Sequence, residues 1–201
     1  GVQKEYYENG TLRFEGNYKN WKIDGVERNF YESGVLESEE IMKDGVPDGV
    51  SKYYYSSGKL RMECHQSCVG YAESGENAKG TIKANYKSGK LESEYNYVDG
   101  HPEGVFKEYY ETGILKTEGQ YRNGKLDGVV RDYYESCKVQ GEHNYKGGVR
   151  EGPFKHYYDS GSVRHEGNDK NWQHDGLVLW HDEFGEWTDE EHYKDGEKMS
   201  V

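Results

Sequence analysis

Tyr109-Tyr-Glu-Thr-Gly-Ile-Leu-Lys-Thr-Glu-Gly-Gln-Tyr-Arg-Asn-Gly-Lys-Leu-Asp-Gly128, followed by Val129-Val-Arg-Asp132, is the unit that decides the fold. It is 24 residues long, and copies of it start at Tyr6, Phe30, Tyr54, Asn85, Tyr109, Tyr133, Tyr157 and His181. Every interval is 24 residues except that from Tyr54 to Asn85, which is 31. Self-similarity at a fixed period marks a repeat architecture, here of eight units in a single repeat domain over residues 1–201. Counting Tyr109 as position one, each copy places an x-Gly pair just after the aromatic doublet. These are Asn9-Gly10, Ser33-Gly34, Ser57-Gly58, Ser88-Gly89, Thr112-Gly113, Ser160-Gly161 and Phe184-Gly185, with Ser136-Cys137 the exception. Such pairs between two strand-like runs predict two-residue hairpin turns.

That turn fixes a register. Position two then faces position seven, position 23 of the preceding copy faces position ten, and the Gly at position 20 faces position 13. Position ten is Glu in all eight copies, from Glu15 to Glu190, and the facing residue is Lys or Arg in seven, from Lys4 to Lys155, with Leu179 the eighth. The periodicity did not require those columns to be opposite in charge, so their agreement supports the register independently. Each such pair contributes roughly 0.2–1 kcal/mol. On the opposite face Tyr7 meets Leu12, Tyr31 meets Leu36 and Tyr110 meets Leu115, a core stripe that Ile82, Phe106, Val130, Phe154 and Val178 extend. There Gly104 meets Tyr121 and Gly128 meets Tyr145, which lets a ring lie over a residue with no side chain. Short Gly-containing loops such as Lys43-Asp-Gly-Val-Pro-Asp-Gly49 join the hairpins. The expected fold is all-β, an elongated single-layer antiparallel meander of about eight β-hairpin repeats.

Composition agrees. Hydrophobic residues make up 32% and charged residues 32%, too polar for a thick two-layer core. In place of aliphatics stand 20 Tyr, 5 Phe and 4 Trp, with 27 Gly and only 3 Pro, a composition for strands and tight turns. A net charge of -12 argues against nucleic acid and anionic membranes and favours a partner protein with a basic surface. No run is long enough to span a bilayer. The chain does not begin with Met, which predicts a missing upstream segment and leaves both a cytoplasmic and an exported location open.

The pattern Tyr-Tyr-Glu-x-Gly-x-Leu-x-x-Glu-x-x-Tyr-x-x-Gly-x-x-Asp-Gly resembles the MORN repeat, specifically its bacterial variant, across essentially the whole chain. The resemblance implies a chain of β-hairpins in an elongated twisted sheet. It also implies a scaffold, or a protein-interaction or membrane-associated module. Many bacterial members of the variant family are labelled antitoxin components of toxin-antitoxin pairs.

In a repeat protein the shared positions explain the fold, so function is sought where copies depart from the pattern. The third copy carries seven extra residues within 64–79. Cys64, His65 and Cys68 supply three metal ligands, but Cys-x3-Cys lacks a clear fourth. A local disulfide, or two free thiols in a bulged loop, is the alternative. Cys137, three repeats away, is out of their reach in a solenoid. The loop, with Tyr71, is a candidate partner contact. Trp21 and Trp172 occupy a turn position that is usually Gly, and are read either as half-exposed binding anchors or as rings folded back over a neighbouring hairpin. Glu186–Tyr193 is expected to form a charged terminal strand that guards the sheet edge, through which self-association is the hazard. His156, His165, His174, His181 and His192 occupy different repeat positions, lack metal spacing, and are read as surface residues.

No nucleophile–base pair, phosphate loop or metal motif is present, so the expectation is a non-catalytic scaffold for protein–protein interaction without a cofactor. Acidic loop residues such as Asp24, Asp48, Glu103, Asp127, Glu151 and Asp175 face its basic partner, and an antitoxin-like component is one case. The alternative is a surface or exported module that binds a glycan, peptide or lipid headgroup in an aromatic trough.

Overall fold

The structure is a computed structural model that describes residues 1–65 and 80–199. The described residues are all-β, without helices, and form two compact units, Gly1–His101 and Pro102–Val201. Each is an open antiparallel meander of eight main strands. In the first these are Val2–Tyr6, Leu12–Lys19, Lys22–Phe30, Leu36–Lys43, Val50–Tyr54, Leu60–His65, Gly80–Asn85 and Leu91–Val98. In the second they are Gly104–Tyr109, Leu115–Arg122, Gly128–Tyr133, Val139–Lys146, Val149–Tyr157, Val163–Lys170, Gly176–His181 and Trp187–Lys194.

The ladder register is the one the charge columns require. Lys4 pairs with Glu15, Arg28 with Glu39, Arg131 with Glu142 and Lys155 with Glu166. Most of these pairs close as ion pairs, from 2.6 Å at Lys155–Glu166 to 3.9 Å at Lys52–Glu63.

The turn after the doublet differs from expectation. It is a three-residue loop, closed by Tyr7 N donating to Thr11 O and Gly10 N donating to Tyr7 O, with Gly10 at φ +83°. Tyr6 therefore pairs with Leu12, and Tyr7 does not. A type I turn followed by a left-handed residue has this form. The register is rescued one residue later, because a bulge between Glu5 and Tyr6 inserts Arg13 into the partner strand. The longer loop shifts the pairing by one and the bulge shifts it back. The same bulge recurs at Glu108/Tyr109, Asp132/Tyr133 and His156/Tyr157. At the exceptional copy Cys137 takes the left-handed position at φ +69°. The two-residue turns lie in the other loops: Arg122 pairs with Lys125 around Asn123 and Gly124, at φ +51° and +74°.

Released from the core pair with Leu12, the second tyrosine takes another role. Tyr7, Tyr31, Tyr110, Tyr134 and Tyr158 donate their hydroxyls to the carbonyls of Phe30, Tyr54, Tyr133, Tyr157 and His181 at 2.6–3.0 Å. Each acceptor is the first residue of the next copy, so the ring ties one hairpin to its successor. The first tyrosine turns to the charged face, where Tyr133 and Tyr157 donate to Glu118 and Glu142.

The core is the extension of the expected stripe and not its Tyr–Leu pairs. Ile82, Phe106, Val130, Phe154 and Val178 are all buried, together with Cys64. Gly104 does pair with Tyr121, but the space beside it is open, and its φ of +77° is what calls for glycine. The glycine that admits a ring is Gly119, where a Cβ would lie 2.8 Å from Phe106 and 2.9 Å from Val130.

Candidate functional site

Strand alternation puts the Lys–Glu ladder on one face of each unit and two side-chain rows on the other, at positions 11 and 22 and at positions 9 and 24. These two rows hold the core stripe and also most of the departures between copies. The bulge adds to them. A bulge re-aims the side chain of its extra residue, here position eight. In the second unit Lys116, Gln140 and Arg164 are those residues. With Tyr110, Asp132, Gly141 and His156 they line a shallow cavity of about 310 Å³. Gly141 leaves the gap, since a Cβ there would come within 3.3 Å of the His156 ring. In the first unit Arg13 and Glu37 line the corresponding cavity of about 380 Å³ with Tyr7, Phe14, Tyr18 and Phe30.

The second unit gathers four of its histidines, His143, His156, His165 and His174, on this face. His156 and His165 are directly opposite one another, stacked at 4.5 Å with planes 6° apart, and His165 stacks on Trp180 at 4.3 Å. His143 meets His156 edge-on at 4.7 Å, and His174 stacks on Phe154 at 4.7 Å. The expectation of surface histidines is overturned for His165, which is buried, and for His156, which is half-buried in the stack. Different repeat positions become neighbours because position 24 of one copy lies across the strand from position nine of the next. His192 is exposed.

Burial holds these rings neutral. His143, His156 and His165 are each lowered to about 4, chiefly by desolvation, with Arg150, Arg164 and the neighbouring imidazoles adding repulsion. Asp169, also buried, accepts from Arg150 Nε at 2.8 Å and lies 2.9 Å from His174 Nδ1. His143 Nδ1 is 4.0 Å from the Asp169 carboxylate and has no hydrogen-bond partner. Among the described residues no three His, Cys, Asp or Glu side chains converge as a metal site. The arrangement instead offers flat neutral rings beside the Lys116 and Arg164 cations, neither of which forms an ion pair among the described residues.

The same row in the first unit is acidic. Glu27, at the position that Phe106 and Val130 fill with buried apolar side chains in the second unit, stands directly opposite Glu40, at the position that Gly119 and His143 fill there. Glu40 is pushed above the usual carboxylate value, first by burial and then by the Glu27 charge, with Tyr53 and Ser51 partly offsetting this. Neither repeat column alone singles out this pair, which appears only when position 22 is set across the ladder from position 11.

The residues expected to contact a partner fall in separate places. Trp21 sits at φ +66° in the left-handed turn position that Gly45, Gly100 and Gly124 fill elsewhere, and its ring is 95% exposed. Trp172 has the same backbone, φ +69°, but its ring packs edge-on against Tyr145 at 5.6 Å and is 55% exposed. The anchor geometry thus belongs to Trp21 and the folded-back geometry to Trp172. Cys64 is fully buried and disulfide-bonded, next to Ile82, while His65 is exposed and Cys137 is a free, exposed thiol. Cys68 and Tyr71 lie outside the described residues. The acidic loop positions are partly used inside the ladder: Glu103 accepts from Asn123 N at 2.7 Å and Glu151 from Asn171 N at 3.3 Å.

No curated protein matches the chain. The family model described as "MORN repeat variant" matches residues 1–20, 23–44, 47–66, 79–99, 102–123 and 150–171. The copies around Cys137 and His181 lie outside those matches, yet they close the same hairpins, with Tyr134 N donating to Lys138 O and Asp182 N to Glu186 O. With more than half of its residues matched and the hairpin repeated in every described copy, the chain belongs to the MORN repeat variant family.

Proposed function

We propose that this protein is a non-catalytic scaffold that holds a partner protein with a basic surface, an antitoxin-like component being one such role. The observation that carries the reading is Trp21. A large ring occupies a left-handed turn position suited to glycine and gains almost no packing in return, since it is 95% exposed. Strain of this kind, on the order of 1–3 kcal/mol, persists where it serves a site. Tryptophan is among the residues enriched at the hot spots of protein interfaces. The net charge of -12 supports a basic partner, steered by long-range attraction.

The test is affinity capture from the source cell's lysate with the intact chain beside Trp21→Ala and Trp21→Ala/Trp172→Ala variants, read by mass spectrometry at low and high salt. One protein held by the intact chain, weakened by Trp21→Ala and released by salt, is the expected result. Capture that ignores both tryptophans sinks the anchor. No captured protein sinks the scaffold reading and favours a glycan, peptide or lipid headgroup on the aromatic face.

A further inference from the structure

We propose that Glu27 and Glu40 form a seat for a guanidinium group, an arginine side chain of the partner. This rests on the scaffold reading above and names the chemistry by which one of its faces is recognised.

Two carboxylates directly opposite across antiparallel strands repel each other, and the strands Lys22–Phe30 and Leu36–Lys43 place Glu27 and Glu40 in that relation. The neighbouring cations do not relieve it. Arg28 pairs with Glu39 at 2.8 Å and Lys52 with Glu63 at 3.9 Å, both on the charged face. The donor to Glu27 is Asn29 Nδ2 at a long 3.4 Å, and that amide makes a closer contact, 3.1 Å, to Ser38 Oγ. Next in the row is Ser51, 1% exposed, whose Oγ faces the Glu40 carboxylate without completing a hydrogen bond. A buried hydroxyl left unsatisfied is destabilising. Tyr53 lies beside Glu40 as well, and burial and the Glu40 charge push its hydroxyl far up.

The patch therefore has a surplus of negative charge and a half-buried floor, and the cation near it, the exposed Arg61 beside Tyr53, forms no ion pair with either carboxylate among the described residues. A divalent metal ion takes six or more oxygen ligands, and two carboxylates are a poor start on that number. A guanidinium is flat, always charged, weakly hydrated and carries five N–H donors in a fork, which suits two facing carboxylates with hydroxyls around them. An ammonium offers three donors on a strongly hydrated point charge and matches less well.

The test uses the whole chain, titrated with N-acetyl-arginine amide and followed by NMR, in parallel with N-acetyl-citrulline amide, N-acetyl-lysine amide bearing a free amine, and calcium chloride. Saturable binding of the arginine amide is expected, at least tenfold tighter than the neutral citrulline isostere, and lost in Glu27→Gln/Glu40→Gln. The same variant should melt at a higher temperature than the parent, because removing facing like charges stabilises the sheet; a purely structural pair would melt lower. Unchanged arginine binding in the double variant overturns the seat, as does calcium binding without arginine binding. If the lysate partner is captured equally by the double variant, the seat is wrong and the scaffold stands. If the arginine amide binds and no partner protein is captured, the scaffold is wrong and the seat stands.

Discussion

The two units use one hairpin and one ladder, yet they fill the same row with opposite chemistry. In the first, Glu27, Glu40 and Ser51 interrupt the row before it reaches Cys64 and Ile82. In the second, Phe106, Val130, Phe154 and Val178 fill it, with His143 between Val130 and Phe154. The tyrosine ties, the bulges and the ion pairs are common to both. A repeat whose backbone is held by shared contacts is free to vary this row without changing its fold, and the row is where chemical identity accumulates.

The comparison can be broken most forcefully at the core. Phe154 is 1% exposed, and Phe154→Ala removes about 3–5 kcal/mol. Hydrogen exchange should show the loss of protection within Pro102–Val201, while the amides of Gly1–His101 keep theirs. Equal loss in both would mean that they unfold together.

Acid should sharpen the contrast. The folded histidines His143, His156 and His165 are depressed to about 4 from 6.5, so the unfolded chain takes up protons that the folded one does not. Their contribution is full above pH 6.5 and is lost as pH falls toward 4, at up to about 1.4 kcal/mol per pH unit for each such proton. Glu40 has the opposite sign: its folded value is raised, so its contribution is present below the unfolded value of 4.5 and is lost as pH rises through the folded one. Hydrogen exchange between pH 7 and 5, corrected for intrinsic rates, should therefore show the second unit loosening and the first holding or tightening. His143→Phe should blunt the acid loss.

Two smaller changes test the shared frame. Cys137→Gly relieves a left-handed backbone at φ +69° and should stabilise the second unit by about 1–2 kcal/mol in a urea melt. Tyr31→Phe and Tyr134→Phe each delete one hydroxyl tie, to Tyr54 O and Tyr157 O, and should cost about 1 kcal/mol in either unit alike. Unequal losses would show that the ties are not equivalent between the units.

The repeat, the charge ladder and the buried stripe were legible because each is a column in the sequence with a two-residue or 24-residue period. The turn was misread because two displacements cancel: the three-residue loop at Gly10 and the bulge at Arg13 leave Lys4 opposite Glu15, the same pairing a two-residue loop would give. The histidines were misread because position-by-position comparison separates His156 from His165, whereas the antiparallel ladder sets them face to face. The Glu27–Glu40 pair was hidden for the same reason, one residue standing at position 22 and the other at position 11.

By itself, then, the sequence determined the repeat, the strand partners and which face is charged, since these follow from local period and from charges that must meet across a ladder. The tertiary structure alone decided which side chain a bulge turns inward, which tryptophan is left bare, and which residues of different copies become neighbours. Those outcomes depend on backbone angles and cross-strand distances, to which a linear spacing is blind.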